Sequence, residues 1–483
     1  MMGVHQPQPE LFSYQVNLER RVRADHPLRQ VAKAVDFTFV RAEVAARYGR
    51  NGNESVDPVV LIKMMFLLFY DNVASERELM KIIPERLDYL WFLGYGLDDG
   101  IPDHSVLSKA RRRWGSDVFR RLFIGTVEQC VAAGLVNGDK LHVDSSLIAA
   151  NASKDSMIKS SPELIAAYAA AYGAVEKKLN DPAERPAYKP VNDRMISATD
   201  PDASIASRGS LGNHPAYHHH RAVDDAHGVI TAVETTSGSI AENKKLMALV
   251  KQHEQNTNSE PKVVVTDHKY GTSENYLACH LKGLVTHLGD AKAKAAPVAG
   301  IFPENQFKYQ PKADAFLCPA QQTLKARRFI KRQGVWEYAA DKGVCLACQL
   351  RAQCTRSKSG RTLSRHPQAQ VLEQCRAQAH SLAAKQDRRR RQYLLEGSFA
   401  DAANNHGFKR SRWRRLWRQQ IQDYFIAAIQ NVRILLSRSE PKPAASGIQA
   451  LKEAFVLPLH SWVGLILRFS PYRTSADCQL PLP

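Results

Sequence analysis

The sequence predicts an α/β protein in which a helical N-terminal domain precedes a mixed sheet, and two insertions interrupt the sheet domain. Strand-like runs begin near Lys140 and recur at 216–223, 229–236 and 262–266. A turn at 224–228 makes a hairpin of the second and third runs, and a helix-like segment at 241–253 precedes the last. Such an order of strand, hairpin, helix and strand is typical of an α/β layer domain.

Residues from about 20 to 135 carry a helical signal. Asp57-Pro58 is typical of a helix start, and an apolar stretch follows it. A later helical segment, from Ser105 to Phe123, contains Arg111 and Arg112. These two arginines are candidate DNA contacts in a helix-turn-helix-like unit, and a packing domain with a solvated basic face accounts for them equally well.

Two insertions separate the parts of the sheet domain. The first lies between Asn151 and Pro215 and begins with an alanine-rich helical segment, 161–179; the second carries a cysteine cluster. We therefore divide the chain into a helical N-terminal DNA-binding or packing domain (20–135), the first part of the core (138–298), a Cys-containing insertion (299–366), the second part of the core with basic helices (367–438) and a weakly structured tail (439–483).

The net charge of the chain is unusual, whereas its hydrophobic and charged fractions are ordinary. Its 483 residues are 44% hydrophobic and 24% charged, as in ordinary soluble proteins of several domains. The formal net charge is +19, and between Arg388 and Arg438 eleven Arg and one Lys oppose three acidic residues. This cluster indicates a phosphate-binding surface, with a solvated charged face as the alternative. Its candidate DNA contacts are Lys409, Arg410, Arg412, Arg414, Arg415 and Arg418.

The sequence carries no export or membrane signal. Residues 1–9 are polar, and no apolar run reaches the ~18 residues that a membrane helix needs. Eight Cys are far too few for a disulfide framework in a chain of this length. We therefore expect a cytoplasmic location.

Two aspartates are expected at strand ends. Asp144 ends the run 140–143, and Asp267 ends the apolar run 263–266. For either residue alone, a structural aspartate in a turn is the favoured interpretation. Two aspartates at adjacent strand ends of one sheet would, however, lie within metal-bridging distance.

A third carboxylate, Glu396, follows the arginine block in a helical pattern. It shares a helix face with Tyr393 and Phe399, which predicts that it points towards the core. A buried carboxylate needs a partner, which is either a metal ion or one of Arg388–Arg391. Three carboxylates from distant segments can together hold two Mg²⁺ ions, an arrangement that cuts and rejoins phosphodiesters.

Four cysteines in the second insertion have the spacing C-x26-C-x2-C-x5-C, namely Cys318, Cys345, Cys348 and Cys354. Four thiolates can close a tetrahedral structural Zn²⁺ site, and C-x2-C is the usual knuckle spacing. Four unrelated reduced thiols are the alternative. Basic residues between the first two cysteines raise the further possibility of a DNA-contacting lobe. His218-His219-His220 is expected to be structural, because in a strand the middle ring opposes the other two.

Several strings in this chain, taken in order, resemble those of bacterial insertion-sequence transposases of the DDE class. They are His142-Val143-Asp144-Ser145-Ser146, Thr199-Asp200-Pro201-Asp202-Ala203, Tyr217 to Asp225, Val265-Thr266-Asp267, Glu396-Gly397-Ser398-Phe399, His406-Gly407-Phe408-Lys409-Arg410 and Gln420 to Leu436. The resemblance covers roughly residues 20 to 438. Each string alone is weak evidence, whereas the ordered set is quite specific.

The resemblance implies an RNase H-like catalytic core with Asp144, Asp267 and Glu396 as ligands of two Mg²⁺ or Mn²⁺ ions. It implies a DNA transposase that acts on terminal inverted repeats and target DNA, as a homodimer at the bacterial nucleoid. An RNase H-like nuclease without strand transfer and an inactive DNA-binding relative are the alternatives. Many relatives carry a lysine seven residues after the glutamate, where this chain has Ala403.

Three nearby carboxylates compete with Glu396 for the third position. Asp401 lies about 140° around a helix from Glu396. Asp387 is expected in a surface salt bridge beside the arginine block. Glu373 precedes a polar run that has no apolar face. Only Glu396 combines an expected inward direction, a helix packed on the sheet and the resemblance to the family, which together make it the predicted third ligand.

Overall fold

The computed structural model describes residues 16–49, 54–159, 195–207, 213–290 and 299–439, together with Met2 and residues 161, 163, 164 and 167. Its contacts divide the chain into two units, 1–435 and 436–483, and 436–439 are the described residues of the second. The predicted alanine-rich helix and the predicted tail lie largely outside the described residues.

The N-terminal region is helical, as predicted. Its helices are α1 (Leu18–Arg21), α2 (Pro27–Ala34), α3 (Phe39–Val44), α4 (Pro58–Tyr70), α5 (Glu76–Ile82), α6 (Leu87–Leu93), α7 (Ser105–Trp114) and α8 (Asp117–Ala132). Asp57 caps α4 by accepting a 2.9 Å hydrogen bond from the Val59 amide, and Pro58 occupies the first helical position. Because α4 is apolar on nearly every side, it forms the buried centre of this region.

One mixed sheet forms the core. The strands of this part of the chain are β1 (Lys140–Ala149), β2 (Met157–Lys159), β3 (Met195–Ser197), β4 (Ser204–Ser207), β5 (Asn213–Asp224), β6 (Ile230–Ser237), β7 (Val263–Val265) and β8 (Val285–His287). The main sheet has the order β4-β5-β1-β7-β8, and β6 also pairs with β5. β5 is antiparallel to β1, β4 and β6, whereas β1, β7 and β8 run parallel. This topology confirms the predicted α/β RNase H-like mixed sheet.

One face of the sheet is apolar. Helices α9 (Leu246–Thr257) and α10 (Ser273–Leu281) pack on it. Leu141 and Val143 of β1 point to this side and share a buried cluster with Leu249 and Val250 of α9. The alternate residues of β1, among them Asp144, therefore point to the other face.

The second insertion is a lobe with its own sheet, which we call the cysteine lobe (299–366). It contains β9 (Lys308–Gln310), β10 (Ala315–Leu317), β11 (Thr323–Ile330), β12 (Val335–Ala339), α11 (Lys342–Leu346), α12 (Arg351–Cys354) and β13 (Thr362–Arg365). The strand order is β13-β12-β11-β10-β9. A small core of Phe307, Leu324, Tyr338 and Leu363 holds the lobe together.

Three helices complete the fold after the cysteine lobe. They are α13 (Ala369–His380), α14 (Leu382–His406) and α15 (Leu416–Ser439). Arg391 of α14 contacts Asp144, so α14 lies on the face of β1 opposite α9. Asn431 of α15 exchanges two 2.9 Å hydrogen bonds with the backbone of Ile230 at the start of β6. None of the described helices is both long and apolar enough to cross a membrane.

Candidate active site

Two aspartates lie level with each other on adjacent parallel strands. Asp267 follows the end of β7, whereas Asp144 lies within β1, which continues to Ala149, so the prediction that Asp144 ends its strand is wrong. In the pairing of β1 with β7, His142 lies opposite Val265. Continuing this register by two residues brings Asp144 level with Asp267. The charge of Asp267 is close enough to contribute to the raised pKa of Asp144. The structure thus brings together the two aspartates that the sequence singles out.

A turn and a glycine hold the backbone at Asp267. Its carboxylate accepts a 3.0 Å hydrogen bond from the Lys269 amide and caps the short 3-10 turn that follows. The Gly289 amide, just after β8, donates to the Asp267 carbonyl at 3.2 Å. A Cβ at position 289 would lie 2.5 Å from the backbone nitrogen of His268 and 2.9 Å from the carbonyl carbon of Asp267. The two backbone segments can approach this closely because residue 289 has no side chain.

Asp144 is largely buried beside an arginine. Arg391 Nη1 lies 2.7 Å from Asp144 Oδ2, and the two side chains are 13% and 17% exposed. Burial raises the pKa of Asp144 above its ordinary value, the Arg391 guanidinium opposes that rise, and Asp267 adds to it. In this structure Arg391 therefore neutralises a carboxylate that the sequence predicts as a metal ligand.

Glu396 is exposed, so the prediction that it points towards the core is wrong. Tyr393, expected on the same inward face, is 78% exposed. The buried stripe of α14 instead includes Asp387, Leu395 and Phe399, and Glu396 lies about 100° around the helix from Leu395. Among the described residues, no group of three or more His, Cys, Asp or Glu side chains is arranged to hold a metal ion. The structure thus does not bring Glu396 to the two aspartates.

Asp387 is buried, and the prediction that it forms a surface salt bridge is wrong. Its two carboxylate oxygens lie 2.7 Å from Lys140 Nζ and 2.6 Å from His287 Nδ1. Lys140 begins β1 and His287 ends β8, so Asp387 connects α14 to both strands. Because these partners lie far from Asp387 in sequence, the local arginine block gave no sign of them.

Two other contacts hold α14 on the sheet. Arg221 of β5, directly opposite Asp144 in the β1–β5 register, donates a 2.7 Å hydrogen bond to Ser398 Oγ. Gln430 of α15 donates to the Ser398 carbonyl at 2.8 Å and to Asp401 Oδ2 at 2.8 Å. Together with Asp387 and Arg391, these contacts fix the rotation of α14 about its axis.

Glu242 is a buried carboxylate that sequence reasoning missed. It accepts a hydrogen bond from Ser145 Oγ and lies 2.6 Å from Lys269 Nζ. Burial raises the pKa of Glu242, but hydrogen bonds from Lys269 and Ser145 outweigh that effect and lower it. Ser145 follows Asp144, and Lys269 lies two residues after Asp267, so Glu242 ties together the two segments that carry the aspartates.

Three of the eight predicted DNA-contacting residues are engaged in packing. Arg111 is 2% exposed, is paired with Glu76, and lies 3.9 Å above the Trp413 ring. Arg415 is 5% exposed, with Nε 3.2 Å from Asp202. Arg412 donates to the Val73 carbonyl and to Asn72, and its burial lowers its pKa to about 10. For these three the structure corrects the prediction, because each has an internal partner distant in sequence.

The other five predicted DNA contacts are accessible. Lys409, Arg410 and Arg414 are exposed, while Arg112 and Arg418 are partly buried. Lys409 Nζ lies 2.8 Å from Ser146 Oγ, and Ser146 lies on the same face of β1 as Asp144. A cation therefore lies on the Asp144 face of β1, at a position two residues along the strand from Asp144.

The string Thr199 to Ala203 anchors the start of α15. Asp200 is fully buried and accepts hydrogen bonds from Tyr217 Oη at 2.7 Å and from the Arg415 amide at 3.0 Å. Asp202 accepts from the Leu416 amide at 2.9 Å. Carboxylates at a helix N-terminus accept hydrogen bonds from its free amides and interact favourably with the positive end of the helix dipole. Burial raises the pKa of Asp200 to about 6.

The three consecutive histidines are structural, as predicted. His218 Nε2 lies 3.0 Å from Ser145 Oγ, and His220 Nε2 lies 2.9 Å from Thr236 Oγ1 on the same sheet face. His219 points to the opposite face, where Asp423 lies 3.0 Å from its Nδ1.

The four cysteines predicted to bind zinc line one cavity in the cysteine lobe. The cavity has a volume of about 30 Å³ and is also lined by Phe307 and Leu324. Burial raises the pKa of Cys354, and the other three thiols add to the rise. In the described chain, however, these thiols do not form a group arranged as metal ligands. The predicted zinc ribbon is therefore not confirmed.

The chain matches two protein-family models. Residues 16–113 match a transposase domain (DUF772), and residues 317–436 match a transposase DDE domain. The chain carries a transposase DDE domain. The matched DDE segment of this transposase includes Glu396 and most of the cysteine lobe, whereas Asp144 and Asp267 precede it. Enzymes of this class use Mg²⁺ or Mn²⁺.

Two solved structures are similar to this transposase at low identity. One is the Mos1 transposase paired-end complex with left transposon end, at 10% identity, with a TM-score of 0.16, covering 51% of this chain and 64% of that chain. The other is the piggyBac transposase synaptic complex with hairpin DNA, at 9% identity, with a TM-score of 0.24, covering 92% and 84%. TM-scores this low do not establish a shared fold. This transposase spans slightly less than two thirds of the Mos1 chain. No curated protein matches its sequence.

Proposed function

We propose that this transposase cuts DNA at the ends of an insertion sequence and joins the freed 3′-OH to target DNA, with Asp144, Asp267 and Glu396 as its catalytic carboxylates. The register of β1 and β7, which sets Asp144 level with Asp267, is the observation that carries the proposal. Two carboxylates level with each other on neighbouring strands offer the hard oxygen ligands that Mg²⁺ and Mn²⁺ prefer. Two such ions, when bound, activate water and stabilise the attacking and leaving oxygens.

The residues around the aspartates would orient the DNA and hold the site. Glu242 and Gly289 position the Asp144 and Asp267 segments through the contacts described above. Lys409, beside Ser146 on the Asp144 face, is suited to a phosphate of the DNA strand at the site. It supplies a cation near the aspartates in a chain that has Ala403 where many relatives carry lysine.

Glu396 completes the carboxylate set only if α14 changes its orientation. Arg391 and Glu396 are five residues apart, about 140° around the helix, so both side chains cannot face Asp144 together. Binding of DNA and metal would supply the energy for that change, since Arg391 can exchange Asp144 for a phosphate. Asp387 is the rival third carboxylate because it already faces the sheet, but Lys140 and His287 occupy both of its oxygens.

Glu396→Gln tests this assignment because it keeps the side-chain volume and removes the charge. We expect it to abolish Mg²⁺-dependent cleavage of DNA that carries this gene with its flanks, with folding and DNA binding retained. Asp401→Asn is the matched control on the same helix and should still cleave. Wild-type cleavage by Glu396→Gln would show that the third carboxylate is another residue, and Asp387→Asn would then be examined.

The partners we propose are the terminal inverted repeats and target DNA, bound by a homodimer at the nucleoid, because two DNA ends must be held for joining. Products that contain joined target DNA distinguish strand transfer from simple nuclease activity. Cleavage without joined products would favour an RNase H-like nuclease. DNA binding without cleavage would favour an inactive relative.

We propose Zn²⁺ as a structural ion of the cysteine lobe, on the ground that four thiols line one small cavity. Freshly purified reduced protein should then contain about one Zn²⁺ per chain by metal analysis. Cys345→Ser should release the ion and destabilise the lobe, whereas Cys279→Ser, in the sheet core, should leave the metal content unchanged. Absence of zinc from the wild type would contradict the proposal.

A further inference from the structure

The cysteine lobe is strongly basic. Between residues 299 and 366 the sequence has thirteen Lys and Arg against four Asp and Glu. Glu337 is already paired with Arg328 at 2.8 Å, and Asp314 accepts hydrogen bonds from Tyr309 and Tyr338. Most of the positive charge of the lobe therefore has no internal counter-charge.

Two aromatic side chains stand exposed on the β11–β12 hairpin. Phe329 and Trp336 lie opposite each other in the strand register, with ring centroids 5.3 Å apart. They are 41% and 40% exposed, whereas Tyr338, two residues beyond Trp336 on the same face, is 3% exposed. The apolar face of the hairpin thus continues past the lobe core into solvent. Large aromatic side chains left partly uncovered forgo the stabilisation that burial gives, which points to a partner.

Four cations lie on the same hairpin as the aromatic pair. They are Lys325, Arg327, Lys331 and Arg332, all exposed. Within the part of the chain that the structure describes, none of the four has an ion-pair partner, in contrast to Arg328. A surface of exposed aromatic rings among unpaired cations is suited to nucleic acid, because cations contact phosphates and rings stack on bases.

The rings also indicate which form of DNA is bound. A base inside a duplex is stacked on both of its faces, so it offers a face to a protein ring when it is unpaired and leaves the stack. An acidic polypeptide could satisfy the cations but would leave the aromatic pair without a planar partner. Unpaired bases beside a phosphate backbone satisfy both features.

We propose that the β11–β12 hairpin binds DNA with unpaired bases, which stack on Phe329 and Trp336 while Lys325, Arg327, Lys331 and Arg332 contact phosphates. This inference rests on the proposed action of the transposase on DNA ends. It adds a binding surface outside the carboxylate site and a preference for frayed or single-stranded ends.

The test compares two fluorescein-labelled probes of one arbitrary sequence, a blunt duplex and the same duplex with a single-stranded oligo-dT extension, by anisotropy with the full chain. The wild type should bind the extended probe more tightly. Phe329→Ala/Trp336→Ala should lose about tenfold in affinity for the extended probe and little for the blunt one. Lys331→Ala/Arg332→Ala should weaken binding to both probes and flatten the salt dependence.

Leu346→Ala is the matched control for an exposed apolar residue of the same lobe, being 45% exposed, and Lys358→Ala is the control for an exposed cation. Trp336→Phe retains an aromatic ring and should keep the preference, which separates stacking from misfolding. A wild type that binds the two probes equally, or an aromatic double variant that keeps the preference, would overturn the hairpin proposal alone. A wild type that binds neither probe would overturn the proposed function as well.

Discussion

Gly289→Ala is a small change that should reach the active site through the backbone. The φ angle of Gly289 is not in the left-handed region, so alanine introduces no backbone strain. Its effect comes only from the added methyl group, which faces His268 and Asp267.

The structure gives the size of this perturbation. The new Cβ would lie 2.5 Å from the backbone nitrogen of His268, whereas ordinary contacts begin at 3.4 Å, so the segments must separate by about 0.9 Å. Both neighbours are backbone, which cannot rotate away as a side chain can. A displacement of about 1 Å at a catalytic group can cost on the order of 100-fold in rate. The overpacking itself should cost about 1–3 kcal/mol of folding stability.

The assay measures the cleavage rate and DNA affinity of Gly289→Ala alongside its thermal unfolding. We expect cleavage to fall about 100-fold while affinity for DNA stays within twofold. Gly125→Ala is the control, because a Cβ there meets nothing within 4 Å and should leave cleavage unchanged. Wild-type cleavage by folded Gly289→Ala would refute the idea that Asp267 must stay where Gly289 holds it.

Three further predictions concern contacts around the site and the basic surface. Glu242→Gln should lower cleavage about 10- to 100-fold by releasing Lys269, and with it the Asp267 segment, from Glu242. The exposed Glu274→Gln should not lower it, and equal rates for the two variants would remove Glu242 from the site. The slope of log affinity against log salt should flatten by about 0.9 in each of the variants Arg410→Ala, Arg414→Ala and Arg418→Ala. Arg111→Ala, the control, should leave this slope unchanged and lower the free energy of unfolding by about 3–5 kcal/mol. Because burial raises the pKa of Asp200 from 3.8 to about 6, the folded chain binds this proton more tightly than the unfolded chain does. As the pH rises between those values, urea unfolding should therefore show the free energy of unfolding of the wild type falling by on the order of 3 kcal/mol relative to that of Asp200→Asn. Above the higher value no further loss is expected. Parallel pH profiles of the two proteins would contradict this prediction.

The two aspartates could be predicted because their positions follow from short-range patterns. An apolar run marks a buried strand, and Asp144 and Asp267 are visible where these runs stop in the sequence, although β1 itself continues to Ala149. The parallel register of β1 and β7 then brings the two aspartates level. The direction of the Glu396 side chain could not be predicted from such patterns, because the inward face of α14 is partly polar.

On α14 hydrophobic periodicity fails for a physical reason. Asp387 and Arg391 both face the sheet, where His287 and Asp144 pair with them. A face that is buried through ion pairs has no continuous apolar stripe, so hydrophobic periodicity places Tyr393 inward although it is exposed. Arg111 shows the same limit, because its partners Glu76 and Trp413 are distant in sequence.

Arg391 and Glu396 cannot face Asp144 at the same time. In this structure Arg391 lies against Asp144 and Glu396 is exposed. If Glu396 is the third carboxylate, its approach to Asp144 must displace Arg391, because the two are about 140° apart on one helix. Gathering three carboxylates without that arginine is unfavourable unless metal cations replace its charge. Because Arg391 neutralises Asp144 in the absence of metal, Glu396 would complete the site only when metal ions and DNA are bound.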